Sequence, residues 1–456
     1  MEQDKQMTLG TAPVGKLLLK LAIPTITAQI VSVLYNMVDR VFIGHIPGVG
    51  ANALTGVGVC LPIIVIAASF AALTAAGGAP RASIFMGKNE NETAENILGN
   101  CALAVTLMGL IITAVFFIWG RDLLWLFGAS ENTIDYAWDY MHIYAFGTVF
   151  VLISLGLNTF ITAQGFTIIS MISVLIGGIA NIVLDPIFIF AFGWGVKGAA
   201  LATIVSQALS AAWVLKFLCG KKTILRIKKA KLKLDRKIYL PCLALGLAPF
   251  VMQSTEGLIT ICFNYSLLKY GGDIAVGAMT ILTSIMQLSM LPLTGLAQGA
   301  QPIISFNFGA GNFERVRKAF FVLFKVSIGY GICVWAMSVF VPDILVSVFT
   351  SDIALQEYAA PALRIYMATS LVFGIQVSCQ QTFLALGNAK TSLFLAALRK
   401  LILLIPLIFI LPQFMDPQDI AVFTAEPVAD LLAVTATSIL FFRFFKKTIS
   451  KNNTAI

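Results

Sequence analysis

The chain alternates long, continuously apolar stretches with short polar connections. Residues 151–163, 173–184 and 401–411 contain no charged side chain and, with their flanks, approach the roughly 20 residues that cross a hydrocarbon core. Because these runs are continuously apolar and do not alternate, they predict membrane-spanning helices and not barrel strands. The pattern predicts twelve spans, at residues 17–42, 52–78, 96–119, 134–162, 167–191, 197–218, 239–268, 275–303, 318–341, 357–386, 391–412 and 422–445.

One segment is repeated 222 positions later in the chain. Residues 77–92 and 299–314 share five of sixteen aligned positions, which are Gly77 and Gly299, Pro80 and Pro302, Ser83 and Ser305, Gly87 and Gly309, and Glu92 and Glu314. Such a duplication predicts two similar six-helix units. We expect an N-terminal lobe at 1–218, a basic cytoplasmic linker at 219–238 and a C-terminal lobe at 239–456.

Composition places these helices in a bilayer. The 456 residues are 58% hydrophobic and 12% charged, with a mean hydropathy of +0.89, which is too little polar surface for a water-soluble protein of this length. Lys and Arg concentrate in alternate connections, so we expect both termini in the cytoplasm and the two units parallel. The polar N-terminus lacks a signal-peptide pattern.

The net charge of +9 comes largely from the basic segment at 221–237. A nucleic-acid site is one interpretation, but a basic cytoplasmic connection is what membrane orientation requires, and we expect the segment to lie on anionic headgroups. The seven cysteines form no CxxC pair and are expected to pack as small side chains. With only two histidines, a histidine-rich metal site is excluded.

Ionisable side chains inside the spans are few, and each is costly enough to indicate a function or a partner. They are Asp39, Asp185, Glu256, Glu426 and Asp430, together with Arg399 and Lys400, whose long side chains we expect to extend towards the cytoplasm.

Asp39 and Asp185 are predicted at similar depth in the outer half of the bilayer. Asn181 lies one turn before Asp185 on the same helix face, and Thr203 and Tyr140 fall at similar depth on neighbouring spans. Two adjacent carboxylates in a low dielectric cannot both ionise at low cost, so the cluster predicts a proton site. Sodium is the alternative, with Asp39, Asn181, Asp185 and Thr203 as its oxygen ligands.

A purely structural role is the alternative interpretation for several of these residues. Asp39 adjoins Arg40 near a helix end and is compatible with an interfacial charge, whereas Glu256 is compatible with a structural hydrogen bond to Gln253. A substrate cavity could be lined by Gln253 and by methionines at helical spacing, although such methionines are more often packing residues. These methionines are Met279, Met286 and Met290.

Three motifs resemble the multidrug and toxic compound extrusion (MATE) family, and the Gram-positive multidrug exporters in particular. They are Pro24 ahead of Asp39, NIVLDP at 181–186 and GLAQGAQPIISFNFGAGN at 295–312. The resemblance implies an all-α membrane protein of two parallel six-helix lobes. It also implies an antiporter that exports drugs or organic cations in exchange for protons or sodium, and so contributes to antibiotic resistance.

The resemblance also assigns roles to residues. It implies a cation site at Asp39, Asn181, Asp185 and Thr203, supported by Tyr140 and Asn158, a hinge at Pro24 and a further acid at Glu256. The tenth span offers glutamines but no aspartate, so a sodium site in the C-terminal lobe is not implied.

Two other functions are alternatives. A lipid-linked oligosaccharide flippase would need a strongly cationic cavity, for which Arg399 and Lys400 are the candidates. An intramembrane enzyme would need a nucleophile and a base within reach, and no such arrangement stands out. No phosphate-binding loop occurs. We therefore expect a monomeric transporter of the bacterial cytoplasmic membrane, with no cofactor beyond its coupling ion and with no nucleic-acid partner.

Overall fold

The computed structural model describes residues 2–453, with side chains from 7 to 448. Within that range the chain is helical and contains no strand. The first part comprises α1 (Glu2–Thr11), α2 (Val14–Gly44), α3 (Gly50–Ala71), α4 (Gly77–Gly87), α5 (Asn91–Leu126), α6 (Ile134–Ala163), α7 (Thr167–Pro186) and α8 (Gly195–Cys219). The second comprises α9 (Arg236–Ser254), α10 (Glu256–Gly309), α11 (Phe313–Phe340), α12 (Pro342–Ser347), α13 (Ile353–Tyr366), α14 (Phe373–Ala385), α15 (Ala389–Ala397), α16 (Ile405–Ile410) and α17 (Gln418–Asn453).

Three of the spanning helices contain a π-helical turn. These turns are Ala72–Ala76 between α3 and α4, Ile187–Ala191 after α7, and Leu398–Leu404 between α15 and α16. Short 3-10 turns at Lys229–Lys231, Ser370–Val372 and Leu411–Gln413 complete the helical elements. π-Turns inside α-helices are uncommon and are often found at functional sites.

The twelve predicted spans all fall on these helices. Ten helices in the described range are long and apolar enough to cross a membrane, and the bent pair Ile353–Tyr366 and Ser370–Ala385 makes an eleventh. The twelfth pass comes from α9 and α10, which together form a run of 74 residues. Both ends of this run pack near α4, so the chain reverses within it, and Gly272 has the non-helical backbone that permits the turn. The prediction of a polytopic all-α membrane protein is confirmed.

The repeated glycines are where the two halves of the chain meet. A Cβ on Gly87 would overlap the carbonyl oxygen of Phe306, and a Cβ on Gly309 would overlap that of Ile84. Residues 84 and 306 are themselves 222 positions apart, so the two contacts are reciprocal. This arrangement is what an approximate two-fold axis between parallel units produces. Glycine is required at both positions because backbone contacts backbone.

Further contacts between the halves extend this closed interface. The Thr25 hydroxyl donates to the Gly295 carbonyl at 2.6 Å, and the Gln29 amide donates to Gln298 at 3.1 Å. Phe70 and Phe250 meet edge to face with ring centroids 5.1 Å apart. We call the end of the molecule that carries these contacts and residues 220–235 the linker end, and there the halves are closed against each other.

Away from the linker end, polar side chains of both halves are exposed within the spans. They are Asn36 and Arg40 of α2, and Glu256, Thr260, Asn264, Thr280 and Gln287 of α10. Polar residues within spans usually face water or protein and not lipid. We infer from their exposure a cleft between the halves that opens away from the linker end.

The connection between the halves is held down by one carboxylate. Glu95 of α5 accepts hydrogen bonds from the Lys228 and Lys231 ammonium groups at 2.7 and 2.8 Å and from the Arg226 backbone N–H at 3.2 Å. Nearby, the Asn100 side chain accepts from the backbone N–H of Asp235. The basic segment is therefore an ordered strap on the first half, although its division at 219–238 stays a prediction.

Candidate functional site

Four helices bring the predicted polar residues of the first half together. Asp39 comes from α2, Asn181 and Asp185 from α7, Thr203 from α8 and Tyr140 from α6. Two glycines of α7 allow α2 and α8 to approach it closely. A Cβ on Gly178 would press on Tyr35 and Val31 of α2, and Gly177 lies against Ser210 of α8. Without side chains at these positions, α2 and α8 can both pack closely against α7.

The cluster is buried. Asp185 is 0% exposed, Asn181 2%, Tyr140 4% and Asp39 9%. The Asn181 amide donates to the Asp185 Oδ1 at 3.2 Å and lies 3.5 Å from the Thr203 hydroxyl, which Tyr140 also contacts. Asp39 is therefore not an interfacial charge in this structure, because the α2 and α7 side chains cover it.

The carboxyl groups of Asp39 and Asp185 are close enough to interact directly. Two ionised carboxylates offer only acceptor oxygens, so this contact becomes a hydrogen bond only when one of them carries a proton. Three buried oxygens, Asp39 Oδ1, Asp185 Oδ2 and Asn181 Oδ1, have no hydrogen-bond donor among the described residues. Buried acceptors without donors are costly, so the site favours the arrival of a positive charge.

The donor set restricts which cation the cluster could hold. Within the described residues no group of three or more His, Cys, Asp or Glu side chains is placed to bind a metal. The cluster instead offers two carboxyl groups, one amide oxygen and one hydroxyl. Oxygen ligands of this kind suit a hard cation, and a carboxyl group can alternatively take up a proton.

A second group of charges lies in the other half, and its pairing was not predicted from the sequence. The Arg399 guanidinium contacts Asp430 Oδ1 at 2.5 Å and Glu426 Oε1 at 3.3 Å, and the Lys400 ammonium lies 3.0 Å from Glu256 Oε1. The prediction that Arg399 and Lys400 extend towards the cytoplasm is wrong. Their side chains are only 12% and 6% exposed, because carboxylates on α10 and α17 neutralise them within the helices.

Comparison with known families decides the class of the molecule. The MatE family profile matches residues 24–187 and 249–410, which is more than half of the chain and one match in each half. This protein belongs to the MatE family. The two matches begin 225 residues apart and end 223 apart, close to the repeat offset of 222.

Individual MatE relatives resemble the chain over nearly its whole length. It is 25% identical over 413 residues to the multidrug export protein MepA of Staphylococcus aureus strain N315, covering 90% of each chain. It is 24% identical over 436 residues to MepA of Staphylococcus haemolyticus strain JCSC1435, covering 95% of each. These relatives are export proteins, and this MatE protein is a membrane transporter and not an enzyme.

Solved MatE structures share its fold. A crystal structure of a MATE protein in the bent conformation superposes with a TM-score of 0.90, at 22% identity, and covers 99% of this chain and 98% of that one. An outward-facing multidrug resistance transporter of the MATE family superposes with a TM-score of 0.89, at 22% identity, covering 98% of each chain.

Other residues predicted for this MatE protein lie apart from the first-half cluster. Asn158 donates to the Ser170 carbonyl at 3.3 Å, and its own carbonyl oxygen has no donor among the described residues. Pro24 is buried inside α2, in the part of the helix that packs against the second half and ahead of Asp39. Glu256 lies in the other half, and its partner is Lys400 and not Gln253.

The predicted cavity residues divide between cleft and core. Gln253 is exposed, and Met286 and Met290 are partly buried. Met279 is 3% exposed and packs inside the hydrophobic core of the second half. Met279 therefore does not line the cleft in this structure, because side chains of that core cover its part of α10.

Proposed function

We propose that this protein is a secondary active antiporter that exports organic cations, drugs among them, in exchange for protons or sodium by alternating access. The observation that carries the proposal is the buried Asp39 and Asp185 pair with three oxygens lacking donors. One bound proton or sodium ion satisfies this arrangement, and its loss restores the unfavourable state. The Staphylococcus relatives are multidrug export proteins, which supports multidrug export as the activity.

Helix α2 offers a route from this site to a change of shape. On both sides of Pro24 it packs against the second half, where Gly299 lies against Ala22 and Gly295 against Ile26. Farther along it carries Asp39 and packs against α7. Proline removes one backbone hydrogen bond from a helix interior and so lowers the cost of bending. Ion binding at Asp39 would then bend α2 at Pro24 and loosen the closed interface.

Orientation and surroundings follow from the same proposal. The protein lies in the bacterial cell membrane with both termini, the strap and the closed linker end in the cytoplasm, because Lys and Arg are concentrated there. The cleft then opens to the outside. The transporter acts as a monomer on small organic cations, with the proton or sodium ion as its coupling ion.

The flippase alternative is not favoured. A pyrophosphate-linked substrate needs a strongly cationic cavity, and the candidates for it were Arg399 and Lys400. Both are neutralised by Glu256, Glu426 and Asp430. The exposed charge of this group is the Glu256 carboxylate, which repels an anionic substrate.

The test is efflux of a fluorescent organic cation from proteoliposomes, with pH and sodium gradients imposed separately. Asp185→Asn keeps the size of the side chain but cannot exchange a proton or balance a sodium ion. We expect this variant to fold and to lose gradient-driven efflux, while the surface variant Glu357→Gln transports normally. Full gradient-driven efflux by Asp185→Asn would overturn the proposal, and the gradient that drives wild-type efflux identifies the coupling ion.

A further inference from the structure

Helix α1 lies across the closed linker end and contacts both halves. Its Leu9 side chain is 2% exposed and lies against Gly165, in the turn between α6 and α7 of the first half. The next residue faces the second half, because a Cβ on Gly10 would meet the ring of Phe306 in α10 at 3.4 Å. The short helix therefore joins the two halves at the end where they must separate for the molecule to open.

Pro13 makes α1 depend on the second half. In a continuous helix the Leu9 carbonyl would accept the backbone N–H of the residue four positions later, but that residue is the proline, which has no N–H. The carbonyl instead accepts hydrogen bonds from the Asn307 amide at 2.9 Å and from the Arg315 guanidinium at 3.2 Å. Groups of the second half thus satisfy an acceptor that the α1 sequence leaves open.

The Arg315 side chain of α11 makes most of this contact. Its guanidinium also donates to the Ala12 carbonyl at 2.8 Å and to Asn307 Oδ1 at 3.1 Å. The last carbonyls of a helix carry partial negative charge, so a cation at this end of α1 is favourable. Asn307 is 0% exposed and donates as well to the Ile303 carbonyl at 2.8 Å, so α10 fixes its amide in place. We call Asn307 and Arg315 the docking pair.

The docking pair adjoins the backbone contact that closes the halves. Phe306, whose ring faces Gly10, is also the residue whose carbonyl oxygen a Cβ on Gly87 of the first half would overlap. The segment that holds α1 and the segment that closes against the first half are therefore one and the same part of α10. Opening the linker end has to break either the Leu9 packing on the first half or the hydrogen bonds to the docking pair.

The strap is the counterpart of α1 in the repeat. Adding the offset of 222 to the residue numbers of α1 gives 224–233, and Glu95, which holds the strap, corresponds to position 317 on α11, two residues from Arg315. Each half therefore holds the segment that precedes the first span of the other half. The strap joins α8 to α9 covalently in every conformation, whereas the hold of the second half on α1 is non-covalent and can be released.

We propose that α1 is a latch, which keeps the linker end closed while the docking pair holds the Leu9 and Ala12 carbonyls and lets it open once the pair has released them. Release has a small net cost, because hydrogen bonds to water replace those to the docking pair. Leu9 stays packed on the first half, since exposing a buried leucine is more costly. The latch rests on the alternating access proposed above and adds the segment that controls when the linker end opens.

Two distances between spin labels in the full-length protein test the latch. They are measured by double electron–electron resonance, with the exposed Cys219 and Cys333 replaced by serine. Labels at Met7→Cys, where the native side chain is 62% exposed, and at Lys318→Cys report whether α1 is docked on the second half. In a separate sample, labels at the exposed positions Glu92→Cys and Lys318→Cys report the separation of the halves.

Arg315→Ala removes the guanidinium that holds both carbonyls of α1. We expect it to raise the longer-distance population of both label pairs about tenfold over the wild type, equivalent to about 1.4 kcal/mol. Arg317→Ala is the matched control, because it removes the same charge from an exposed position two residues later on α11, and it should match the wild type. Leu9→Ala weakens the other attachment, so it should lengthen the Glu92 to Lys318 distance while α1 stays docked.

Uptake of tetraphenylphosphonium into inside-out vesicles gives a functional measure that damage to the fold would not imitate. In such vesicles the linker end faces the medium, because the proposed orientation places it in the cytoplasm. Arg315→Ala should lower the KM for the cation, since a larger fraction of the transporters is open to the medium. A misfolded or loosely packed variant would instead show a lower kcat or a higher KM.

The outcomes separate the latch from the proposed function. If wild-type vesicles take up no tetraphenylphosphonium under a pH or a sodium gradient, but the distances respond as expected, the proposed function fails alone. If the wild type transports the cation and Arg315→Ala leaves both distances unchanged, the latch fails alone. The latch is also refuted if the Met7 to Lys318 distance lengthens without the Glu92 to Lys318 distance, because α1 then detaches without opening the molecule.

Discussion

Gly309 provides the sharpest test of how the halves close. In Gly309→Ala the new Cβ would overlap the carbonyl oxygen of Ile84, which is backbone and cannot move aside as a side chain can. Overpacking of this kind typically costs about 1–3 kcal/mol. The cost applies only while the linker end is closed, because separating the halves removes the overlap. The substitution should therefore shift the equilibrium away from the closed form by about 5–150-fold.

Distances between two spin labels, measured by double electron–electron resonance, can report this shift. Spin labels at Glu92→Cys and Lys318→Cys, both exposed at the linker end, report the separation of the halves after the exposed Cys219 and Cys333 are replaced by serine. We expect Gly309→Ala to add a longer-distance population and to slow efflux, since every transport cycle must close this end. Gly329→Ala is the control, because its Cβ meets nothing within 4 Å.

The reciprocal contact supplies an internal check. Gly87→Ala should open the same interface, because its Cβ would overlap the carbonyl oxygen of Phe306. Once either substitution has separated the halves, the second has little left to disrupt. The double variant should therefore shift the equilibrium by less than the sum of the two single variants. An unchanged distance distribution in both single variants would show that these glycines do not govern closure.

Three other perturbations follow from the structure. Cys101 and Cys242, one from each half, lie in side-chain contact. Copper phenanthroline should therefore cross-link them and stop efflux until a reductant is added. The control variant Cys101→Ser should still transport after the same treatment. Thr25→Val removes the 2.6 Å hydrogen bond to Gly295 and should increase the longer-distance population by about fivefold, from roughly 1 kcal/mol; an unchanged spin-label distribution would contradict this role. Glu95→Gln removes the charge that holds Lys228 and Lys231 and should speed tryptic cleavage of the strap, whereas equal cleavage rates would show that other contacts hold it.

The positions of the spans could be predicted because they depend on local composition. An apolar run of sufficient length must cross the bilayer as a helix wherever its neighbours lie. The Asp39 and Asp185 contact could also be predicted, since each is the only acid in its apolar stretch and their depths can be counted along the chain. In both cases one physical term, the cost of polar groups in lipid, decides the outcome.

The ion pairs of Arg399 and Lys400 with carboxylates on α10 and α17 were not predictable by the same reasoning. Arg399 and Lys400 have long side chains near a helix end, and snorkelling is the usual outcome for such residues. What keeps Arg399 inside is Glu426 and Asp430 on α17, which are spaced four apart and so share a face, whereas Lys400 is paired with Glu256. That spacing was a usable signal, but recognising it required knowing that α17 packs beside the π-turn Leu398–Leu404. Contacts between distant segments depend on packing, which composition does not encode.

The buried polar sites of the two halves differ in their chemistry. At position 178 the first half has glycine, which lets α2 pack closely and leaves two acids to share a charge. At the equivalent position 400 the second half has lysine, which supplies an internal cation. Both sites remain short of positive charge, the first at unpartnered oxygens of Asp39 and Asp185, the second at Asp430. The two sites differ in exposure, because the carboxyl groups of Asp39 and Asp185 are buried, whereas the second site has one exposed carboxylate, at Glu256.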